Sequence, residues 1–277
     1  MKIALIQEHQ NNLYLFHADG ISYSREEALH LQEEMIKQNI GLLQKAADSG
    51  ADIAVTSEAI NFPGVPHLIE SLNAAELVGA LQDFVCSSMS QLASDAGMNI
   101  VAGMLRIEDG HLFNEAVVFD RGGREVHVHK KVFLTQDEQR YMTSGAQFRP
   151  WESEFGRIGI AICWDMQFPE SCRSYVVQDC PMVLAPTWGW ERSFASARAY
   201  ENGMVVGAAM AVPAYKPING LRLPSQVILP DSTVLVQGPC DASAVVVADI
   251  EDLDAYRDAR LPRANQLKAW LAERAQC

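Results

Sequence analysis

The residue of this 277-residue chain whose position most clearly suggests chemistry is Cys163, which ends an apolar run shortly before Pro169. Residues 157–163 predict a strand that ends at the cysteine, and the proline predicts the first turn of a helix. A strand-to-helix turn exposes a thiol at a sheet edge and directs backbone N–H groups beside it. That geometry suits a nucleophile with an oxyanion hole. Taken alone, however, a cysteine at the end of a buried strand is more often a small core residue.

Three further segments of the chain bear on the function of this cysteine. Residues 52–58 read Asp-Ile-Ala-Val-Thr-Ser-Glu, residues 129–134 read His-Lys-Lys-Val-Phe-Leu, and residues 197–202 read Ala-Arg-Ala-Tyr-Glu-Asn. The cysteine lies in Gly-Ile-Ala-Ile-Cys-Trp-Asp, followed by Phe-Pro-Glu. Together these segments resemble, in order, the motifs of the nitrilase superfamily, the carbon–nitrogen hydrolases. The resemblance covers nearly the whole chain, and four ordered motifs make it specific.

The resemblance implies a role for five residues. It makes Cys163 the nucleophile, Glu58 the catalytic glutamate and Lys131 the catalytic lysine. Glu138 fits the second glutamate that many members carry, where it orients the lysine, the substrate or both. The backbone N–H of Trp164 is expected to help the lysine bind an oxyanion.

These residue types also make chemical sense independently. A thiol with a pKa of about 8.5 is only slightly ionised at neutral pH, so it needs a base or a cation beside it. Glu58 can take the thiol proton during attack and pass it to the departing nitrogen. A thioester with Cys163 remains for water to hydrolyse, and neither a metal nor an organic cofactor is required. His127 and His129 share one strand face, but no cysteine or carboxylate stands at ligand spacing, so they predict no metal site.

Each of these residues also has a structural interpretation. Glu58 alone reads as a solvated strand-end acid, and Lys130 with Lys131 reads as a pair of loop charges. Strand alternation lets only one of the two lysines point into a pocket, and the family's register selects Lys131. Glu138 lies in a polar run that looks exposed.

Downstream of the cysteine, two tryptophans and one charged pair have competing interpretations. Trp188 and Trp190 follow a strand end, so they either line the pocket or pack in the core. Arg198 and Glu201 lie three residues apart on a predicted helix and are expected to form a structural ion pair.

Several residues depart from the family pattern and bear on the substrate. Ser57 replaces a common proline, and Phe133 stands where the family usually has histidine. Branches that clamp a substrate carboxylate place arginines where this chain has Met166 and Gln167, which argues against an N-carbamoyl-D-amino-acid hydrolase. Asp165 resembles the amidase and carbamoylase branches more than the true nitrilases.

The surrounding pattern predicts an α/β fold. Strand-length apolar runs such as residues 2–7 alternate with helical stretches, and Ser24 with Glu27 forms a capping box. The absence of a linker or repeat predicts one domain with a mixed sheet, which so many strands would split into two layers. The resemblance implies a four-layer αββα sandwich with two mixed sheets. We expect residues 1–260 to form the hydrolase domain and residues 261–277 a C-terminal arm with a short helix.

Composition limits the partners. The formal net charge is −13, which argues against nucleic acid and anionic membranes because both need a basic surface. The sequence shows neither a signal-peptide pattern nor an apolar run of the ~20 residues that span a bilayer. The six cysteines have no paired spacing, so reduced thiols in a cytoplasm are the simplest interpretation.

The leading hypothesis is therefore hydrolysis of a small linear amide or N-carbamoyl compound to an acid plus ammonia or amine. The alternatives are a nitrile hydrolase, an acyltransferase using the same thioester, and a non-catalytic binding or assembly protein on this scaffold. The family resemblance also implies a homodimer or a higher homo-oligomer.

Overall fold

A computed structural model of the protein describes residues 1–9, 24–62, 74–189, 192–212 and 223–274. In these ranges the chain forms helices and strands that alternate along its length. The helices are α1 (Arg25–Asp48), α2 (Ala74–Ala96), α3 (Pro169–Val176), α4 (Arg192–Asn202) and α5 (Leu253–Arg274). None of the helices in the described ranges is both long enough and apolar enough to cross a membrane.

The described strands divide into two sets. The first set is β1 (Lys2–Gln7), β2 (Ile53–Val55), β3 (Asn99–Glu108), β4 (His111–Phe119), β5 (Glu125–Lys130) and, from the far end of the chain, β12 (Ala244–Asp249). The second set is β6 (Trp151–Ser153), β7 (Gly156–Ile160), β8 (Met182–Thr187), β9 (Val205–Met210), β10 (Gln226–Ile228) and β11 (Val234–Gln237).

Each set forms one six-stranded sheet with a parallel centre. The orders are β12-β1-β2-β3-β4-β5 and β11-β10-β9-β8-β7-β6. The neighbours β1, β2 and β3 are parallel, as are β7, β8 and β9, while the outer pairs are antiparallel. Both sheets are therefore mixed, as predicted.

Three apolar layers hold the molecule together. Between the sheets, side chains such as Leu5, Val55 and Leu184 form a core with no solvent exposure. The outer face of the first sheet packs under α1 and α2, and the outer face of the second packs under α3, α4 and part of α5. Strand alternation sends successive side chains to these different layers, which confirms the four-layer αββα arrangement.

The ends of the helices show which local predictions hold. Ser24 caps α1 in the predicted capping box with Glu27, and Gly50 lies just past its end at φ 73°. The last helix differs from expectation because α5 begins at Leu253, and Pro262 lies inside it rather than at its start. The pair Asn73 and Glu76 predicts the start of α2 from sequence, and Asn73 lies outside the described residues. The division between a 1–260 domain and a terminal arm stays a prediction.

The parallel centres of the two sheets place their carboxyl ends at one edge of the molecule. The two sheets meet there through a bridge between His9, just after β1, and Val212, just after β9. The carboxyl ends of parallel strands are where open α/β sheets bind ligands. The segments after β2, β7 and β8 all begin at this edge.

Candidate active site

Glu58 is the centre of a buried group of hydrogen bonds at this edge. It lies three residues beyond the end of β2 and is 5% exposed. One of its oxygens accepts hydrogen bonds from Lys131 Nζ at 2.7 Å and Asn114 Nδ2 at 2.8 Å. The other accepts one from the backbone N–H of Trp188 at 3.0 Å. Donors from both sheets therefore fix the carboxylate in one orientation.

Glu138 completes the group from a short helical turn in the loop beyond Lys131. Its Oε1 accepts from Lys131 Nζ at 2.7 Å and from Asn114 Nδ2 at 3.2 Å. Its Oε2 accepts from the backbone N–H of Thr135 at 2.8 Å. Lys131 thus lies between two carboxylates, with Asn114 bridging them.

The charge of Lys131 follows from these neighbours. Its side chain is 2% exposed, and burial alone would lower the pKa of the ammonium. The negative charges of Glu58 and Glu138 act more strongly and hold that pKa well above its ordinary value. The lysine therefore stays protonated at neutral pH.

Cys163 begins the turn that follows β7. Its φ of 39° is in the left-handed region, which is unfavourable for a residue with a side chain. Such strain costs on the order of 1–3 kcal/mol and is found mainly at functional sites. The conformation turns the thiol towards the segment after β8, with Sγ 3.7 Å from the carbonyl oxygen of Gly189.

The surroundings of Cys163 keep its thiol neutral. Burial and the nearby charge of Glu58 raise its pKa to about 12, against the opposing effects of Lys131 and the backbone of Trp188 and Gly189. A neutral thiol beside a carboxylate is suited to proton transfer during attack rather than before it. The carboxylate, the ammonium and the thiol are close enough for each charge to act on the sulfur.

Asp165 ties the cysteine segment to the lysine segment. One of its oxygens accepts from the backbone N–H groups of Val132 and Phe133 at 3.1 and 2.8 Å. The other accepts from Ile162 N at 3.0 Å and faces His129 Nε2 at 3.0 Å. The side chain is completely buried. These bonds fix the spacing between the turn of Cys163 and the loop that follows β5.

Arg198 supports the same turn from α4. It donates to the carbonyl oxygens of Met166 at 3.1 Å and Gln167 at 2.8 Å, and it pairs with Glu201 at 2.8 Å. The predicted structural ion pair between Arg198 and Glu201 is confirmed.

The residues predicted from sequence are placed as follows. Glu58, Lys131, Glu138 and Cys163 converge, and the backbone of Trp188 joins them through Glu58. Trp164 follows the cysteine and is 38% exposed. Trp190 lies outside the described residues.

The two neighbouring lysines point to different partners. Lys131 lies in the site, whereas Lys130 pairs with Glu108 and lies over the ring of Phe113, with 3.8 Å between Nζ and the ring centroid. Strand alternation, which predicted that only one lysine enters the pocket, accounts for this separation.

Two residues of the group were missed by sequence reasoning. Asn114 is a polar residue at an inward position of an apolar strand, a signal that was available. Asp165 was used only to distinguish branches of the family. Its role as a clamp depends on the approach of residues 132–133, which are distant in sequence, and no local pattern carries that information.

Comparisons with known proteins agree with this geometry. The family model described as carbon-nitrogen hydrolase matches residues 2–260. An omega-amidase of Xenopus tropicalis is 25% identical over 240 residues, 80% of this chain and 84% of that protein. A probable nitrilase of Schizosaccharomyces pombe is 28% identical over 188 residues, 61% of this chain and 68% of that protein. The solved NitN amidase from Neterenkonia sp. AN1 has a TM-score of 0.70 at 25% identity, covering 96% of this chain and 98% of that one.

Fold and comparisons together define an enzyme that hydrolyses carbon–nitrogen bonds other than peptide bonds. The chain belongs to the carbon–nitrogen hydrolase family. The resemblance to the nitrilase superfamily seen in the sequence is confirmed.

Proposed function

We propose that the protein hydrolyses a small linear amide to an acid and ammonia through a thioester on Cys163, with Glu58 as general base and Lys131 stabilising the oxyanion. The observation that carries this proposal is the fixed Glu58 carboxylate, held by Lys131, Asn114 and the Trp188 backbone beside a neutral thiol. Such a carboxylate can accept a proton without losing its position.

The first half of the reaction forms the thioester. Sγ of Cys163 attacks the amide carbon while its proton passes to Glu58. The carbonyl oxygen becomes an oxyanion, which the Lys131 ammonium and the Trp164 N–H stabilise. When the carbon–nitrogen bond breaks, the proton on Glu58 passes to the nitrogen, and ammonia leaves.

The second half returns the enzyme to its starting state. Glu58 takes a proton from water as the water oxygen attacks the thioester carbon. The new oxyanion collapses, the carbon–sulfur bond breaks, and the sulfur recovers its proton from Glu58. The net change is amide plus water to acid plus ammonia, and the remaining charge of the site is unaltered. Glu138 holds Lys131 throughout.

The comparisons support an amide as the substrate. The omega-amidase and the NitN amidase are named for amide hydrolysis, and one relative is named a probable nitrilase. N-carbamoyl compounds and nitriles present a similar electrophilic carbon to the same thiol. These two classes of compound are therefore alternative substrates, and the substrate panel below includes both.

A substrate panel tests this function. Ammonia release would be measured from linear primary amides, ureido compounds and nitriles, with wild-type enzyme and Cys163→Ala. We expect amide turnover that Cys163→Ala reduces at least about 1,000-fold, as for other covalent nucleophiles. Full activity of Cys163→Ala would overturn the mechanism. Nitrile turnover exceeding amide turnover would instead assign the enzyme as a nitrilase.

We also propose a homodimer and a reducing, cytoplasmic setting. The outer helical layer on the second sheet supports the dimer, because Tyr200, Trp270 and Leu271 are 58%, 49% and 43% exposed. Exposed large apolar side chains gathered on one layer are typical of protein–protein contacts. Free thiols at the described cysteines fit a reducing compartment.

A further inference from the structure

Glu8 is a buried carboxyl group that the proposed reaction does not use. It follows the last residue of β1 and has no solvent exposure. One of its oxygens accepts from Ser57 Oγ at 2.8 Å, and the other accepts from Asn39 Nδ2 on α1. Burying a charged group is costly unless hydrogen bonds stabilise it, so a buried carboxyl next to an active site needs a physical account.

The bond from Asn39 has a fixed direction. Its Nδ2 also donates to the carbonyl oxygen of Met35 at 3.0 Å, so reversing the amide would set two acceptors against each other. One oxygen of Glu8 is therefore always an acceptor. Protonation on the oxygen that faces Ser57 turns this oxygen into a donor and reverses that hydrogen bond, because the Ser57 hydroxyl can accept as well as donate.

In the part of the chain that the structure describes, no oppositely charged group contacts Glu8. None of the buried residues of α1 is titratable, and the end of β9 offers only the backbone N–H of Val212, which donates to the Glu8 carbonyl oxygen at 2.8 Å. On the segment after β2, the titratable neighbour is Glu58, next to Ser57. Burial raises the pKa of Glu8 to about 7, against the opposing hydrogen bonds from Asn39 and Ser57.

Ser57 connects this carboxyl group to the active site. It has no solvent exposure and directly precedes Glu58 in the chain. A serine does not restrict its backbone angle φ, as the proline common at this position in the family would. Contacts from other elements therefore have to fix the backbone that carries Glu58. On one side the segment packs against Gly103, and on the other the Ser57 hydroxyl is held by Glu8.

We propose that Glu8 is a positioning residue for Glu58, and that its ionised carboxylate holds the Ser57–Glu58 segment in the productive geometry. This inference rests on the proposed role of Glu58 as general base. Protonation of Glu8 reverses the bond to Ser57 and loosens that geometry. Activity should therefore decline as the pH falls through the range in which Glu8 takes up its proton.

The test compares Glu8→Gln, Ser57→Ala and the double variant, with Ser225→Ala as the matched control. Ser225 is another fully buried serine, and its hydroxyl accepts from Met210 N. We expect Glu8→Gln and Ser57→Ala each to lower kcat about 10- to 100-fold while KM changes less than about threefold, since small displacements of a catalytic group have effects of that size. The double variant should lose no more than the worse single variant, because both act through one bond.

The pH profile of kcat separates positioning from a merely structural role. In the wild type and in Ser225→Ala we expect an acidic limb near pH 7, and in Glu8→Gln this limb should be absent. The same limb should appear in the rate at which iodoacetamide alkylates Cys163, followed by peptide mass. That second measurement needs no substrate.

The outcomes distinguish this inference from the proposed function. An unchanged profile in Glu8→Gln, or a Ser57→Ala variant with wild-type kcat, overturns the role of Glu8. Full activity of Glu58→Gln overturns the role of Glu58 as base and the positioning role with it. If Glu8→Gln does not fold, the pH profile of kcat in Ser57→Ala decides, because that variant removes only one oxygen atom. Loss of the acidic limb in Ser57→Ala supports the role of Glu8, and an unchanged limb overturns it.

Discussion

At the scale of single residues, the site is a balance of buried charges. One ammonium, on Lys131, lies 2.7 Å from an oxygen of Glu58 and 2.7 Å from an oxygen of Glu138. Removing one partner of a buried charged group leaves the other uncompensated, which costs more than the pair gained. In the proposed reaction Glu58 also accepts a proton, so Glu138 is the partner that holds the lysine while this happens.

Changing Glu138 to Gln tests this division of roles. We expect Lys131 to lose one of the two carboxylates whose charges raise its pKa and its position to relax, with kcat falling about 100-fold, as for loss of other electrostatic groups. Steady-state kinetics on the best amide would measure the change. Asp137→Asn is the matched control, because Asp137 is the exposed neighbour. Equal kinetics for Glu138→Gln and wild type would show that Glu138 is not needed.

Glu8 also makes stability depend on pH. Its pKa is raised from 4.5 to about 7, so between these values the folded protein keeps a proton that the unfolded chain has released. The free energy of unfolding therefore falls as the pH rises through this window, by on the order of 3 kcal/mol for this group. Glu8→Gln should remove that contribution. Urea unfolding at pH 5 and pH 7.5 would measure it, and an identical pH dependence in both proteins would contradict it.

How far the sequence predicts the site depends on the residue. Cys163, Glu58 and Lys131 lie in short motifs at strand ends. Their convergence could therefore be predicted from the order of these motifs along the chain. Asn114 and Glu8 carry no motif. Their positions depend on the register of β4 against β3 and on the packing of α1 over β1, which only the assembled sheets determine.

At the scale of elements, close backbone packing fixes the segment that carries Glu58. Gly103 in β3 lies against it, and a Cβ there would be 3.0 Å from the Cα of Glu58, 2.8 Å from the Cβ of Pro186 and closer still to the carbonyl oxygen of Ser57. Backbone atoms have little freedom to give way. The glycine therefore lets β3 approach the active-site segment and the end of β8 at once.

Changing Gly103 to Ala should displace this segment. We expect a loss of about 1–3 kcal/mol in the free energy of unfolding, typical of overpacking, together with a fall of about 100-fold in kcat. Chemical denaturation and kinetics measure the two effects. Gly41→Ala in α1 is the matched control, since a Cβ there meets nothing within 4 Å. Wild-type stability and kcat in Gly103→Ala would contradict the close packing.

Local sequence patterns predict the bounds of most helices and strands, and the last helix, α5, is the exception. The capping box at Ser24 begins α1 as predicted, because it is a contact within one turn. The sequence predicts a terminal arm that begins at residue 261, yet Pro262 lies within α5, where packing of Ala264 against the second sheet favours the helical conformation. Tertiary contacts outweighed a local signal there.

For the molecule as a whole, the outer helical layer on the second sheet carries three large, exposed apolar side chains, those of Tyr200, Trp270 and Leu271. Tyr200 on α4 lies near Arg263 of α5, and Trp270 lies near the end of α5. Both rings are about half exposed. If this layer forms the proposed dimer contact, these rings should be covered in solution.

Replacing Tyr200 by Ser and Trp270 by Glu in one variant should weaken the dimer. We expect the wild type to sediment as a dimer at micromolar concentration and the variant to shift towards the monomer, since aromatic residues contribute strongly to interfaces. Analytical ultracentrifugation measures this. Phe84→Ser on α2 is the control, because Phe84 is similarly exposed on the opposite layer. A monomeric wild type would overturn the proposal.

The mixed sheets and their two-layer stacking were predictable from the number and spacing of the strands. Which strands share a sheet was not. The return of β12 to pair with β1 joins residues that no local pattern relates.

That return has a consequence for how the enzyme comes into being. The amino group of Met1 bonds to the carbonyl oxygen of Ile250, 249 positions away, and β1 borders β12 along its whole length. A ribosome adds about 5–20 residues per second, so the first strand waits roughly 10 to 50 s for this neighbour. Until then the sheet that carries Glu58 has an unpaired edge. During translation, the sheet that carries Glu58, the proposed general base, is therefore complete only after nearly all of these residues have been made.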